Sequence, residues 1–231
     1  MGGSEGEPKI GTSTIGDWGQ KLHQTQLTLA ERKIRDARTL DPNNPRGIKL
    51  NADLLSYSGK KRESIEEYQK ALKLDPNYAE ALNNLGMVFF HLNQIDKAND
   101  AFQNAIELEP KEASYYVNLG LVHYRRGDID KAISFFNKAL ELDGGLAIGW
   151  QCIGQMYLYS GKLQKSFDAL NRAVFLDKND QFAHYYLGRL LFRMGKNEDA
   201  KRHLQFAIYI DPNYTEAHLL LKQLKQINDI K

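Results

Sequence analysis

The sequence predicts an all-α protein of stacked helix–turn–helix units, and three observations predict it. First, an acidic residue followed by a break recurs at Asp41, Asp75, Glu109, Asp143, Asp177 and Asp211, a step of 34 residues each time. Five equal consecutive steps mark an internal repeat. Second, small residues keep the same register: Ala52, Gly86, Gly120, Gly154 and Gly188 in the first half of each unit, and Ala71, Ala105, Ala139, Ala173 and Ala207 in the second. Third, Gly59, Asn93, Gly127, Gly161 and Gly195 fall between the halves, where a helix ending in a left-handed residue needs Gly or Asn.

Each element follows from local pattern. Apolar residues at three- and four-residue spacing, such as Leu82, Leu85 and Phe89 and then Ile95, Phe102 and Ile106, give an amphipathic helix on either side of the turn. The break reads Leu-Asp-Pro-Asn at 40–43 and 74–77, and Ile-Asp-Pro-Asn at 210–213; Pro cannot continue a helix. Glycine inside the first helix costs about 1 kcal/mol of propensity, a cost met if the missing side chain lets the second helix approach. The large residues Leu82, Phe102, Tyr116, Phe136 and Trp150 are expected to fill the holes between adjacent units.

The chain divides accordingly. Residues 1–12 read as disordered, 13–44 as a degraded first unit, then come full units at 45–78, 79–112, 113–146, 147–180 and 181–214, and a C-terminal capping helix at 215–231. A solenoid end requires such a polar-faced cap.

Composition excludes several function classes. Hydrophobic residues make up 42% and charged residues 26%, with 31 Lys and Arg against 29 Asp and Glu. A formal charge of +2 does not call for nucleic acid. A lone cysteine, Cys152, excludes a disulfide framework and fits a reducing compartment. No apolar run approaches a membrane span, and the N-terminus has neither a signal-peptide core nor the Ser or Thr that myristoylation wants where Gly6 stands. These readings place the protein in the cytoplasm, at a membrane only through partners.

The units resemble the tetratricopeptide repeat family. Its bulky residue, Leu-Gly, aromatic, Ala, aromatic, Ala and Pro are met by Leu82, Leu85-Gly86, Phe89, Ala98, Phe102, Ala105 and Pro110. Tyr116, Leu119-Gly120, Ala132, Phe136 and Ala139 follow, then Trp150, Ile153-Gly154, Tyr157 and Ala173, and lastly Leu187-Gly188, Ala200, Ala207 and Pro212. Gly144 and Lys178 depart from the family's Pro and are expected to weaken single breaks; His123 stands where Tyr is preferred. The resemblance covers about nine-tenths of the chain and implies a right-handed α-solenoid whose first helices line a concave, partner-binding groove.

Catalytic and cofactor motifs are not found: there is no phosphate loop, no Gly-x-Ser-x-Gly and no His-Glu-x-x-His. His184 and His218 share one slot and read as packing residues rather than a metal pair, because no third ligand has a place beside them. His91 and His123 read as surface or groove residues, and Cys152 as small and partly buried. The reading is a non-enzyme with no cofactor and no metal.

Function is therefore sought in the groove that the resemblance implies. Its candidate partner-binding residues are Lys49, Tyr57, Asn84, Met87, Phe90, Asn118, Leu121, Tyr124 and Arg125, continuing with Gln151, Gln155, Tyr159, Phe182, Tyr185, Arg189, Phe192 and Arg193. Exposed aromatics and Met on one surface mark an interaction site. Family members that clamp a C-terminal carboxylate need Asn where Asp53 stands, and Lys and Arg where Ser114 and Asn118 stand, so that clamp is broken. A backbone-holding ladder of asparagines, as in glycosyltransferase-associated repeats, has rungs at Asn84 and Asn118 but is interrupted by Leu50, Cys152 and Tyr186.

The remaining signal is an apolar middle with Arg125, Arg189 and Arg193 in the C-terminal half. That favours a protein or peptide ligand carrying apolar anchors and acidic groups, since Arg forks grip carboxylates. The leading expectation is a non-catalytic interaction scaffold. Alternatives are a self-assembling homo-oligomer whose Trp18 and Leu22 dock into a neighbour's groove, or a regulatory module of a larger enzyme such as a glycosyltransferase, which the capped end at Lys231 disfavours. Phosphate binding by Arg125, Arg126 and Arg193 ranks last.

Overall fold

In a computed structural model, the described residues are 28–29, 32–36 and 39–228. Expectations for residues 1–12, and for Trp18 and Leu22, lie outside them. The chain forms two compact units, 1–76 and 77–231, each taken by itself below. Among the described residues there is no strand, and no helix is long and apolar enough to cross a membrane.

In the first unit, α1 (Pro45–Tyr57) packs against α2 (Lys61–Leu74). Asn44 starts α1, its side chain accepting from the amides of Arg46 and Gly47 while Pro45 takes the first turn. The hairpin buries Ile48, Ala52, Tyr68 and Ala71, and pairs its polar groups. The Tyr68 hydroxyl donates to Asp53 at 2.5 Å, and the Asn51 amide donates to Glu67 at 3.0 Å.

The second unit carries four hairpins and one further helix. They are α3 (Ala79–His91) with α4 (Ile95–Leu108), α5 (Ala113–Arg126) with α6 (Ile129–Leu142), α7 (Ala147–Tyr159) with α8 (Leu163–Leu176), α9 (Gln181–Arg193) with α10 (Asn197–Ile210), and α11 (Thr215–Asn228). Each helix packs on its neighbour in sequence. Helices α3, α5, α7, α9 and α11 also touch in turn, so the first helices of successive hairpins make one face.

Two local devices repeat. The five turn residues are the ones with positive φ among the described residues; four are Gly, and Asn93, at 58°, is the non-Gly type that most readily takes this conformation. At the breaks, the side chains of Asp143, Asp177 and Asp211 accept from the amides two residues on, at 2.8, 2.9 and 3.0 Å. The Asp, rather than Pro, carries the turn. Gly144 and Lys178 therefore leave their breaks intact, contrary to the expectation that they weaken them.

Helix approach explains the glycines. A Cβ on Gly86 would sit 2.6 Å from the Phe102 ring, and one on Gly120 would sit 2.5 Å from Phe136. Phe102 and Phe136, both fully buried, thus fill the close approach inside their own hairpins, and Phe136 also packs in one core cluster with Cys152, Ile153 and Met156 of the next hairpin. At Gly154 and Gly188 the facing residues are Leu170 and Leu204, and the Ser166 hydroxyl donates to the Gly154 carbonyl at 2.8 Å.

Between hairpins a side-chain latch recurs. The Tyr116 hydroxyl donates to the Pro110 carbonyl at 3.0 Å, and Trp150 Nε1 to Gly144 at 2.9 Å. His184 Nε2 meets Lys178 O at 3.2 Å, and His218 Nε2 meets Pro212 O at 2.9 Å. All four residues share one slot of the repeat and bond six residues back. That is why histidine can stand there in place of Trp or Tyr.

Candidate functional site

Helix α7 centres the face of first helices. It contains no charged residue and is buried almost all round, including Cys152, Ile153, Met156 and Leu158. Its neighbour α5 brings Tyr124 and Arg125, and α9 brings Tyr185, Tyr186, Arg189 and Arg193.

Aromatic rings run across these helices. Tyr124 stacks on Tyr159, with centroids 6.1 Å apart and planes 10° apart, and Tyr159 meets Tyr186 edge-on. Tyr185 contacts Tyr186 at 5.1 Å and Tyr214 at 5.0 Å, and Phe182 closes on Tyr214 at 5.6 Å. The Arg189 guanidinium lies 5.3 Å over the Tyr159 ring and donates to its hydroxyl at 3.5 Å. Arg125 lies 5.0 Å over Phe90 in the same manner.

Hydrogen bonding sorts the phenols. Burial, with the Tyr159 hydroxyl beside it, pushes Tyr124 up to about 12. Burial also raises Tyr159, but bonds from Gln155, Tyr124, Tyr186 and Arg189 outweigh it and hold that phenol below its ordinary value. Tyr185, Tyr186 and Tyr214 are all raised, chiefly by burial. The Tyr159 oxygen is thus the acceptor at the centre of the cluster.

The candidates divide by position. In the first unit Lys49 is 6% exposed with Nζ 3.0 Å from Asp53, so its charge is matched internally, while Tyr57 is exposed. In the second, the Asn118 amide donates to Asn83 at 2.7 Å and Asn83 to Asn84 at 3.2 Å, joining both expected rungs through a third amide. Met87 and Phe90 are half-buried, as are Leu121 and Phe192, which pack on the core. Gln151 is 5% exposed and Gln155 is buried, giving its amide to Tyr159 at 3.4 Å; both form floor rather than open surface. Arg193 donates to the Leu158 carbonyl at 3.0 Å and so caps the end of α7.

Sequence reasoning missed Tyr214 and the bridging role of Tyr186. The slot of Tyr214 is otherwise filled by Tyr78, Glu112, Leu146 and Asp180, so periodicity carries no signal for it. His123 is also misplaced by the sequence reading: it is buried, stacked 5.1 Å from Phe135, with Nδ1 3.4 Å from Asp128.

The electrostatics are one-signed. Across α5, α7 and α9 there are four arginines and no Asp or Glu. Arg126 pairs with Asp96 at 2.6 Å. Arg125, Arg189 and Arg193 have no carboxylate within ion-pair distance among the described residues. Cys152 is buried, which pushes its thiol up to about 12 and keeps it protonated. Among the described residues no three His, Cys, Asp or Glu side chains converge as a metal site.

Models of the tetratricopeptide repeat match residues 78–144 and 182–213, and a TPR repeat model matches 52–92. Among solved structures, the crystal structure of the APC/C hetero-tetramer Cut9-Hcn1 is similar at 25% identity and a TM-score of 0.80 over 88% of this chain. This chain spans 40% of the length of the one it matches there. Pseudomonas aeruginosa PilF is similar at 19% identity and 0.71, covering 87% of this chain and 92% of its own. YrrB, a TPR protein described as having an unusual peptide-binding site, is similar at 22% and 0.55, covering 82% and 97%. No curated protein matches the chain.

Proposed function

The chain belongs to the tetratricopeptide repeat family, and from that premise we propose that this protein-interaction scaffold takes an acidic partner segment with apolar anchors on its first-helix face. Repeats of this kind are generally non-catalytic interaction modules. The observation that carries the reading is the set of three arginines without carboxylates, two of them over aromatic rings, carried by α5 and α9, which like α7 between them contain no acid. A guanidinium stacked on a ring keeps its edge donors free for a bidentate carboxylate. Phe182, Tyr185 and Tyr214 offer an aromatic seat beside Arg189 for an apolar side chain.

The test is capture of partners from source lysate by wild type, Arg189→Glu and Tyr124→Ala, after matching their helicity and melting. Wild type should retain partners that are released by salt and lost from Arg189→Glu. Partners retained equally by Arg189→Glu, with unchanged salt dependence, would place recognition elsewhere. Arg193 is a poorer probe, because its bond to Leu158 makes it partly structural.

A further inference from the structure

The outer face of α8 and α10 departs from the repeat pattern. At one exposed slot the first hairpins carry Lys73, Glu107 and Glu141, and the last two carry Phe175 and Tyr209. At a second, Lys70, Asn104, Lys138 and Arg172 give way to Phe206. None of the three aromatics is needed by its own core: Phe175 is 68% exposed, Tyr209 80% and Phe206 39%. Large apolar side chains clustered in solvent mark an interaction surface.

Beside them lies a cleft of about 410 Å³. Phe167, Leu191 and Phe206 give it apolar walls, and Asn171, Lys196 and His203 line it with polar groups. Lys196 lies 5.5 Å over Phe167, and Phe206 packs 4.5 Å from His184. The rim holds both charge signs. Lys196 and Arg202 stand there with Asp199, to which Arg202 pairs, and Arg172 covers Phe175 at 5.3 Å.

We propose that this outer face is a self-association surface, in which Phe175 and Tyr209 of one copy enter the α8–α10 cleft of a second. Knob and hole sit side by side on one patch, as a two-fold isologous contact requires. The mixed rim lets opposite charges meet when the patch faces itself. The first-helix face cannot do this, since arginine would oppose arginine. The exposed parts of the three rings give about 400 Å² per copy at roughly 150–250 Å² per aromatic side chain. That is about half of the ~800 Å² per partner of a stable interface, so the dimer is weak and fills only as concentration rises.

The experiment is sedimentation velocity on the full chain from about 1 to about 200 µM, a range over which a weak dimer forms by mass action. The expected result is a mass rising from 26.4 kDa towards twice that value. Phe175→Glu/Tyr209→Glu should remain monomeric at every concentration with wild-type helicity, and Arg189→Glu should associate as wild type does. If the double variant misfolds, Phe175→Ser alone should shift the midpoint at least tenfold. A wild type that stays monomeric throughout overturns the proposal and leaves the patch to another protein or a lipid surface. Association that survives Phe175→Glu/Tyr209→Glu, or that Arg189→Glu abolishes, overturns it as well, the latter by pointing to the first-helix face.

Discussion

The hairpins α3–α6 and α7–α10 use aromatic residues in opposite ways on the same scaffold. In the first pair of hairpins the second-helix aromatics point inward: Phe102 and Phe136 are fully buried against Gly86 and Gly120. In the second pair the equivalent inward positions are Leu170 and Leu204, while Phe175, Phe206 and Tyr209 stand in solvent and Tyr159, Tyr185 and Tyr186 gather on the inner face. Packing a hairpin needs volume at one slot, which Phe or Leu can supply. The rings released from that duty are available for recognition.

Substitutions should break the comparison in proportion to burial. Phe136→Ala should lose about 3–5 kcal/mol, the range for a fully buried Phe, whereas Phe175→Ala should stay within about 0.5 kcal/mol; urea unfolding of both measures the contrast. Next comes Gly120→Ala. Its Cβ would stand 2.5 Å from an enclosed ring, and overpacking of about 1–3 kcal/mol, less the ~1 kcal/mol of propensity gained, should leave a loss of up to about 2 kcal/mol.

The third expectation concerns acid. Burial, and then the neighbouring His184, push His203 down to about 4 from its ordinary 6.5, and burial likewise lowers His184. The two rings share a hydrogen bond, Nδ1 to Nδ1, at 3.0 Å, with His184 Nε2 committed to Lys178. A depressed histidine contributes stability that is present above the unfolded pKa and lost as pH falls through the folded one. Thermal melts should therefore show stability falling from about pH 6.5 to about pH 4, by about 1 kcal/mol after discounting for solvent screening. His203→Phe, with the residue that occupies this slot at Phe135, should reduce that acid-dependent loss and leave the part that His184 carries. The smallest effect is in the latches: Trp150→Phe and Tyr116→Phe each lose one exposed hydrogen bond, and urea unfolding should put each loss at the low end of about 0.5–1.5 kcal/mol.

Legibility followed the range of the interaction. Helices, turns and the close-approach glycines were readable because each depends on residues within one 34-residue unit. The candidate face was readable only as a set of slots. Periodicity puts Arg125 and Arg193 in one slot and Arg189 in another, but Arg125 and Arg189 lie over rings and Arg193 reaches a carbonyl 35 residues back. Nor could spacing tell that Gln151 is floor, that Lys49 is matched by Asp53, or that His123 is buried.

By itself the sequence determined the all-α repeat, its turns at positive φ and its Asp-carried breaks, since these are local consequences of backbone geometry and short-range hydrogen bonds. Tertiary structure alone decided which side chains meet across hairpins: Tyr214 joining Tyr185 and Phe182, Asn83 joining Asn118, and Arg126 leaving the face for Asp96. Those partners are 29 to 35 residues apart and are selected by interhelical distance and rotamer. A one-dimensional period specifies neither.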